Sequence, residues 1–323
     1  MQLDNHIVYP DAEENMASMF TGSRLARLER LGKFSIHYGV RPTTDEFIER
    51  IGNANAVLSG WGLNNDVLRA ANNLEVVSFS GLGVSTFIDL KEAARQDITV
   101  THTLATAETV AEHTMALMLA AARNIARLDR ETRAGQWNSD LQGFDLRGKT
   151  LGLVGFGRIA QATLPLAKVF GMNVMVWTHR PDAERATRYG IEFCGLDDLL
   201  AQSDIVSFHL AYNPDTEGLI TAQNLRQTKP GVVIVNTARA QILDEIALIE
   251  LLASGHIASA GIDVFNEEPL PQGHPLTKLD NVVLTPHVAY NTPEASAAII
   301  DMAIDNLEAY FSGNPTNVAT WPT

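Results

Sequence analysis

The stretch Lys149-Thr-Leu-Gly-Leu-Val-Gly-Phe-Gly-Arg-Ile-Ala160 constrains this chain more than any other. A short apolar, β-rich run enters Gly155-x-Gly157-x-x-Ala160 and leaves as a helical pattern that reaches Phe170 and stops at Gly171. Such a unit buries its apolar faces as part of a parallel sheet covered by helices. Gly155 permits the tight turn, Gly157 lets backbone approach a phosphate, and Ala160 still allows helix to pack closely on strand. The N–H groups of Arg158 and Ile159 then lie at the positive end of the helix, where a pyrophosphate binds. A glycine turn can also serve packing alone; the strand before it and the helix after it favour a dinucleotide.

The rest of the chain repeats this alternation. Ala56 to Ser59, Val76 to Phe79 and Ile98 to Thr101 are strand candidates in a first series that begins near Phe34. A second series has Thr150 to Val154, Asn173 to Trp177, Asp204 to Leu210, Val232 to Asn236, Ala258 to Val264 and Val282 to Thr285. Between the two, apolar residues at helical spacing predict one long helix from Thr106 to Ala134, with Thr109 and Glu112 as its capping box and Gly135 as its stop. A crossover helix is expected over Asp244 to Ala253 and a last helix over Pro293 to Phe311. At roughly 150 residues per domain, 323 residues suffice for about two domains. The expected architecture is two doubly wound α/β domains. A Rossmann domain over 104–289 is inserted in a flavodoxin-like domain built from 1–103 and 290–323, with two short crossings around a cleft.

Charge and cysteine content narrow the function classes. With 24 Lys and Arg against 38 Asp and Glu, the net charge is −14, and no basic block interrupts it. Nucleic acid and anionic membrane surfaces are therefore poor partners, and an anionic ligand must find locally arranged donors. The longest apolar run, Met115 to Ala122, is far below the roughly 18 residues of a membrane span. Cys194 is the single cysteine, which excludes an internal disulfide and suits a reducing, cytoplasmic compartment. The histidines show no metal-ligand spacing, so no metal is expected.

In a doubly wound sheet, ligands sit beyond the carboxyl ends of the strands. Arg239, Glu268 and His287 each follow one of three successive strands there. Together they suit hydride transfer to a 2-oxo acid. A guanidinium grips the substrate carboxylate, an imidazolium protonates the carbonyl oxygen, and a carboxylate beside the imidazole favours its charged form. Taken singly, each has an ordinary alternative: a surface ion pair, a solvated acid before Pro269, a helix-capping histidine. The second strand of the unit ends Val176-Trp-Thr-His-Arg180 without the acid that usually takes the adenosine ribose hydroxyls. Thr178, His179 and Arg180 could instead bind and neutralise a 2′-phosphate, which points to NAD(P) with NADP(H) preferred. The alternative is a solvent-facing Arg180 and NAD held by backbone.

The chain resembles the D-isomer-specific 2-hydroxyacid dehydrogenase family. The resemblance rests on Val110-Ala-Glu-His113, Leu151-Gly-Leu-Val-Gly-Phe-Gly-Arg-Ile159, Ser203-Asp-Ile-Val-Ser-Phe-His209, Lys229-Pro-Gly231, Val235-Asn-Thr-Ala-Arg239, Gly261-Ile-Asp-Val-Phe-Asn-Glu-Glu-Pro-Leu270 and Thr285-Pro-His287, in the family's order. It implies that Arg239, Glu268 and His287 are catalytic, that Asp263 orients the nicotinamide carboxamide, and that Thr237 and Ala238 line the cofactor pocket. It further implies that Ser80, Gly81, Leu82 and Gly83 offer N–H groups to the substrate carboxylate, and that a homodimer forms through the long helix. Thr178, Ala240, Ala211-Tyr212 and Tyr290 depart from the family pattern, and the Tyr290 ring either reaches the ligands or packs at the hinge. The resemblance implies reduction of a small 2-oxo acid, with glyoxylate or hydroxypyruvate as first candidates. The alternatives are a dehydrogenase of a larger aromatic or branched 2-oxo acid and a non-catalytic, dinucleotide-sensing module.

Overall fold

The computed structural model describes residues 5–319, and the chain divides into two compact units: residues up to Thr106 with those from Thr292 on, and Ala107–Asn291. In the first unit, β1 (His6–Ala12), α1 (Gly22–Leu31), β2 (Lys33–Tyr38), α2 (Thr44–Ile51), β3 (Ala56–Ser59), α3 (Asn65–Ala70), β4 (Val76–Phe79), α4 (Leu90–Arg95) and β5 (Thr99–His102) alternate along the chain. The sheet is wholly parallel in the order β2-β1-β3-β4-β5, the flavodoxin-like order. Along β1 and β3, successive side chains enter two different cores, Val8 and Val57 on one face, Ile7, Tyr9, Ala56 and Leu58 on the other. Burial on both faces explains the near-continuous apolar runs.

The central strand β1 is absent from the series of strands expected from sequence. Its Pro10 has no N–H to give a ladder, which argues against a central strand. The structure accommodates it at a register shift between Tyr9 and Ala12, so the missing donor falls in the irregularity.

The second unit contains α5 (Ala107–Ala122), α6 (Ile125–Arg133), β6 (Thr150–Val154), α7 (Arg158–Val169), β7 (Asn173–Trp177), α8 (Ala183–Tyr189), α9 (Leu196–Gln202), β8 (Ile205–Phe208), α10 (Ala222–Arg226), β9 (Val232–Asn236), α11 (Glu245–Ser254), β10 (Ile257–Ile262) and β11 (Val282–Leu284). All six strands are parallel, in the order β11-β10-β9-β8-β6-β7. An isolated parallel bridge from Val176 to Phe193 extends the sheet beyond β7, giving the doubly wound Rossmann arrangement on that side. The last helix, α12 (Pro293–Phe311), returns to the first unit, where Ile300, Ala303, Ile304 and Leu307 complete its core and Arg24 pairs with Asp301 at 2.7 Å.

The single long helix expected over Thr106 to Ala134 is two helices. Asn124 takes a left-handed φ of 54° between α5 and α6, and its amide donates to the Gln142 carbonyl. Asn is one of the few non-glycine residues that tolerates this conformation. Because α5 begins at Ala107, Thr109 lies inside its first turn, and the expected capping box does not form.

Candidate active site

The turn after β6 is a tight glycine turn that opens a helix. Gly155 has φ +97°, and a Cβ there would meet the His209 carbonyl carbon at 2.9 Å, so only glycine fits. A Cβ on Gly157 would instead point into open space. Gly157 is the N-cap of the 12-residue α7 and offers no side chain to its amides, and no acid occupies the first turn. The N–H groups that open α7, from Arg158 and Ile159 on, are thus left for an anion in an uncrowded cradle.

At the far end of β7 the chain presents half-buried Thr178 and exposed His179 and Arg180. The His179 ring lies edge-on against Trp177, 4.6 Å between centroids, and the Arg180 carbonyl accepts from the Arg185 guanidinium. Asp182, the nearest acid after the strand, is already used as the N-cap of α8, accepting from the Arg185 amide at 3.0 Å. Between Thr178 and Asp182 the single carboxylate is thus the one that caps α8.

Three further strand ends carry the titratable groups. After β9, the Asn236 side chain ties the turn by accepting from Ala238 N and donating to the Arg239 carbonyl, while Thr237 and Ala238 are buried. Burial draws the Arg239 guanidinium below its ordinary pKa, and the charge of Glu268 acts in the opposite direction. Glu268 is fixed at both oxygens: Oε1 accepts from Phe265 N at 2.9 Å, and Oε2 lies 2.7 Å from His287 Nδ1. His287 itself has φ 55°, a left-handed conformation uncommon for a non-glycine residue. The structure thus brings Glu268 and His287 into direct contact, and the charge of Glu268 also reaches Arg239. The Tyr290 ring stands edge-on to His287 at 6.4 Å and is 44% exposed.

Asp263 is fully buried. Its carboxylate accepts from Thr285 Oγ1, from Val288 N at 2.9 Å and from Ala289 N at 2.9 Å, which ties it to the backbone that carries His287. His113, on α5, lies 3.1 Å from Thr285 Oγ1, and its neighbour Thr114 lies 2.9 Å from Thr237 Oγ1. Sequence reasoning used His113, Thr285 and Asn236 only as parts of motifs and gave none of them a role of its own. The available signal was a histidine beside Thr114 and Leu117 on a face otherwise patterned for burial.

The family model described as "D-isomer specific 2-hydroxyacid dehydrogenase, NAD binding domain" matches residues 115–289, more than half of the chain. The protein belongs to the D-isomer specific 2-hydroxyacid dehydrogenase family. It is an enzyme, an oxidoreductase that links a nicotinamide dinucleotide to a 2-oxo acid and its 2-hydroxy acid. Among its relatives is the glyoxylate reductase of Thermofilum pendens (strain DSM 2475 / Hrk 5), 40% identical over 84% of this chain and 83% of that protein. Solved structures with the same fold include an acyclic imino acid reductase in complex with NADPH and D-Arg, at 28% identity, with a TM-score of 0.87 over 98% of this chain and all of that one. Another is a glyoxylate reductase from Paecilomyes thermophila, at 26% identity, with a TM-score of 0.86 over 99% of each chain.

In the first unit, Ser80 to Gly83 follow β4. Ser80 donates from both its amide and its hydroxyl to the Ser59 carbonyl, Gly83 has φ 68°, and Thr103 N donates to the Gly81 carbonyl. Leu82 lies in this loop and is half-buried. The loop after β3 is held by Asp11, whose buried carboxylate accepts from Ser59 Oγ, Gly60 N and Trp61 N. Burial pushes that carboxyl above its ordinary pKa, against these hydrogen bonds. Asp11 falls in the strand that sequence reasoning missed. Among the described residues, no group of three His, Cys, Asp or Glu side chains is placed to hold a metal ion.

Proposed function

We propose that the protein reduces a small 2-oxo acid, glyoxylate or hydroxypyruvate, to the D-2-hydroxy acid with NADPH as its preferred cofactor. The observation that carries this reading is the 2.7 Å pair of His287 Nδ1 with Glu268 Oε2. An ionised carboxylate only accepts, so Nδ1 carries a hydrogen and Nε2 is the nitrogen that delivers the proton to the carbonyl oxygen. Arg239 grips the substrate carboxylate, and its desolvated guanidinium is the stronger donor for being buried. The bound dinucleotide supplies the hydride.

The cofactor's pyrophosphate is assigned to Gly155, Gly157, Arg158 and Ile159, and its adenosine end to Thr178, His179 and Arg180. Thr237, Ala238 and Asp263 are assigned to the nicotinamide end, Asp263 through its buried contacts with the backbone that follows His287. Thr178, His179 and Arg180 at the end of β7, with Asp182 engaged as the N-cap of α8, support NADPH, and an imino acid reductase of the same fold was solved with it. The substrate assignment leans on the two glyoxylate reductases above. On the family resemblance, the Ser80, Gly81, Leu82 and Gly83 loop is assigned to the substrate carboxylate. Residues 1–103 with 290–323 are then the substrate domain and 104–289 the dinucleotide-binding domain. The working form is a cytoplasmic homodimer.

The test is the initial rate of NADPH and, separately, NADH oxidation with glyoxylate, hydroxypyruvate, pyruvate and phenylpyruvate. Turnover of the two small acids with a higher kcat/KM for NADPH is expected. Preference for phenylpyruvate would move the substrate to the larger acids, and equal use of NADH would remove the role given to Thr178, His179 and Arg180.

A further inference from the structure

His287 is held in a left-handed conformation by a chain of contacts that begins on a helix, not on a strand end. The two amides that follow it, Val288 N and Ala289 N, both donate to the buried Asp263 carboxylate. Thr285, two residues before it, donates its hydroxyl proton to Asp263 Oδ1 and accepts from His287 N with its carbonyl at 3.0 Å. The segment is thus pinned on both sides of the strained residue. A non-glycine residue keeps such a conformation only where its surroundings over-determine it.

The chain does not end at Asp263. Since the one hydrogen of Thr285 Oγ1 goes to the carboxylate, His113 Nε2 at 3.1 Å can only donate to that hydroxyl, and the same nitrogen stands 3.6 Å from Asp263 Oδ1. His113 is anchored by α5, which lies close against β10. A Cβ on Gly261 would meet Leu117 Cβ at 2.8 Å, and Ser259 Oγ donates to the Ala121 carbonyl at 3.1 Å. Glycine at 261 allows the helix to come near enough for His113 to reach Thr285. A histidine 23% exposed on an otherwise buried helix face has no packing reason to be polar there.

We propose that His113 is a positioning residue for the reaction. Acting through Thr285 and Asp263, it fixes the backbone that aims the His287 imidazole at Glu268. The proposal rests on the reading of His287 as proton donor, and it assigns His113 no contact with substrate or cofactor.

The test compares His113→Leu, which removes the donor, Thr285→Val, which removes the relay, and His113→Gln, whose amide nitrogen restores a donor near the Nε2 position. In His113→Leu and in Thr285→Val, kcat is expected to fall roughly 10- to 100-fold, the loss associated with a misplaced catalytic group. NADPH affinity, read by tryptophan quenching, is expected to change far less than kcat, because the turn after β6 is untouched, and His113→Gln to recover most of the rate. The double variant His113→Leu/Thr285→Val should fall no further than Thr285→Val alone, because both act on one path. Independently of turnover, the imidazole 15N shifts of His287, assigned from the signal missing in His287→Gln, should move in His113→Leu and return in His113→Gln. A wild-type kcat with unmoved His287 shifts in His113→Leu would overturn the proposal. So would a joint loss of kcat and NADPH binding without rescue by glutamine, which marks a general structural role. If the wild type reduces no 2-oxo acid, the functional reading fails by itself, and the His287 shifts still decide whether His113 positions the imidazole.

Discussion

The Arg239 guanidinium stands where burial works against its charge and a turn locked by Asn236 holds it in place. Nothing in the fold needs a desolvated cation there, so its removal should separate turnover from folding. Arg239→Ala is expected to lower kcat/KM for the 2-oxo acid roughly 100- to 1000-fold, the loss of a donor aimed at developing charge. Dissociation constants for NADPH should hardly change, and a variant with normal turnover would remove Arg239 from the site. His287→Gln should lower kcat roughly 100- to 10,000-fold, as loss of a general acid does. His209 makes a different prediction. Burial holds its pKa down to about 3, and its ring lies 2.9 Å from Ser207 Oγ. The unfolded chain takes up a proton near pH 6.5 where the folded chain refuses it, so stability is complete above pH 6.5 and is lost as pH falls from there toward about 3. The unfolding constant should rise by up to roughly tenfold per pH unit in that window through this group. In His209→Gln the slope should flatten; an unaltered pH dependence in denaturant titrations would show that His209 is not its source.

Where the sequence pattern succeeded at the level of elements, it did so because one physical signal spoke alone. The turn after β6 needs glycines for steric reasons, and α12 runs over Pro293–Phe311 as its proline start and apolar spacing suggest. It failed where two signals conflicted. Pro10 hides β1, because the tertiary structure supplies a register shift that no local pattern announces. The break at Asn124 is hidden because the apolar spacing runs on through Ile125, which is 53% exposed in the fold. Periodicity reports which residues could face a core and not whether a core is there. The Glu268 and His287 pair was legible from strand ends, whereas the support from His113 and Thr285 was not, since it depends on how closely α5 approaches β10. The helix break itself is testable. Valine is poorly tolerated at left-handed φ, so Asn124→Val should cost about 1–2 kcal/mol of stability in chemical denaturation, and Asn124→Gly much less. Equal stability of the valine variant would mean that α5 and α6 can run on as one helix.

At the scale of the whole molecule, α6 lies wholly at the surface. None of its residues is buried, yet Ile125 at its start is 53% exposed and Trp137 just beyond it 87% exposed. Ile125 and Trp137 each offer apolar surface to a partner, and a second copy of the same chain is the commonest partner in closed symmetry. Against association stands the net charge of −14 on each chain, a repulsion that acts at long range and is screened by salt. Apolar contact and charge repulsion therefore predict a signed salt dependence. Sedimentation equilibrium should give twice 35.2 kDa, with dimer affinity rising as salt is raised from low ionic strength. Ile125→Asp combined with Trp137→Ala should shift the mass toward 35.2 kDa while leaving NADPH binding in place, because neither residue lies near the turn after β6 in sequence or in its cores. A wild type that sediments as a monomer at every salt concentration would leave these side chains without the partner assigned to them.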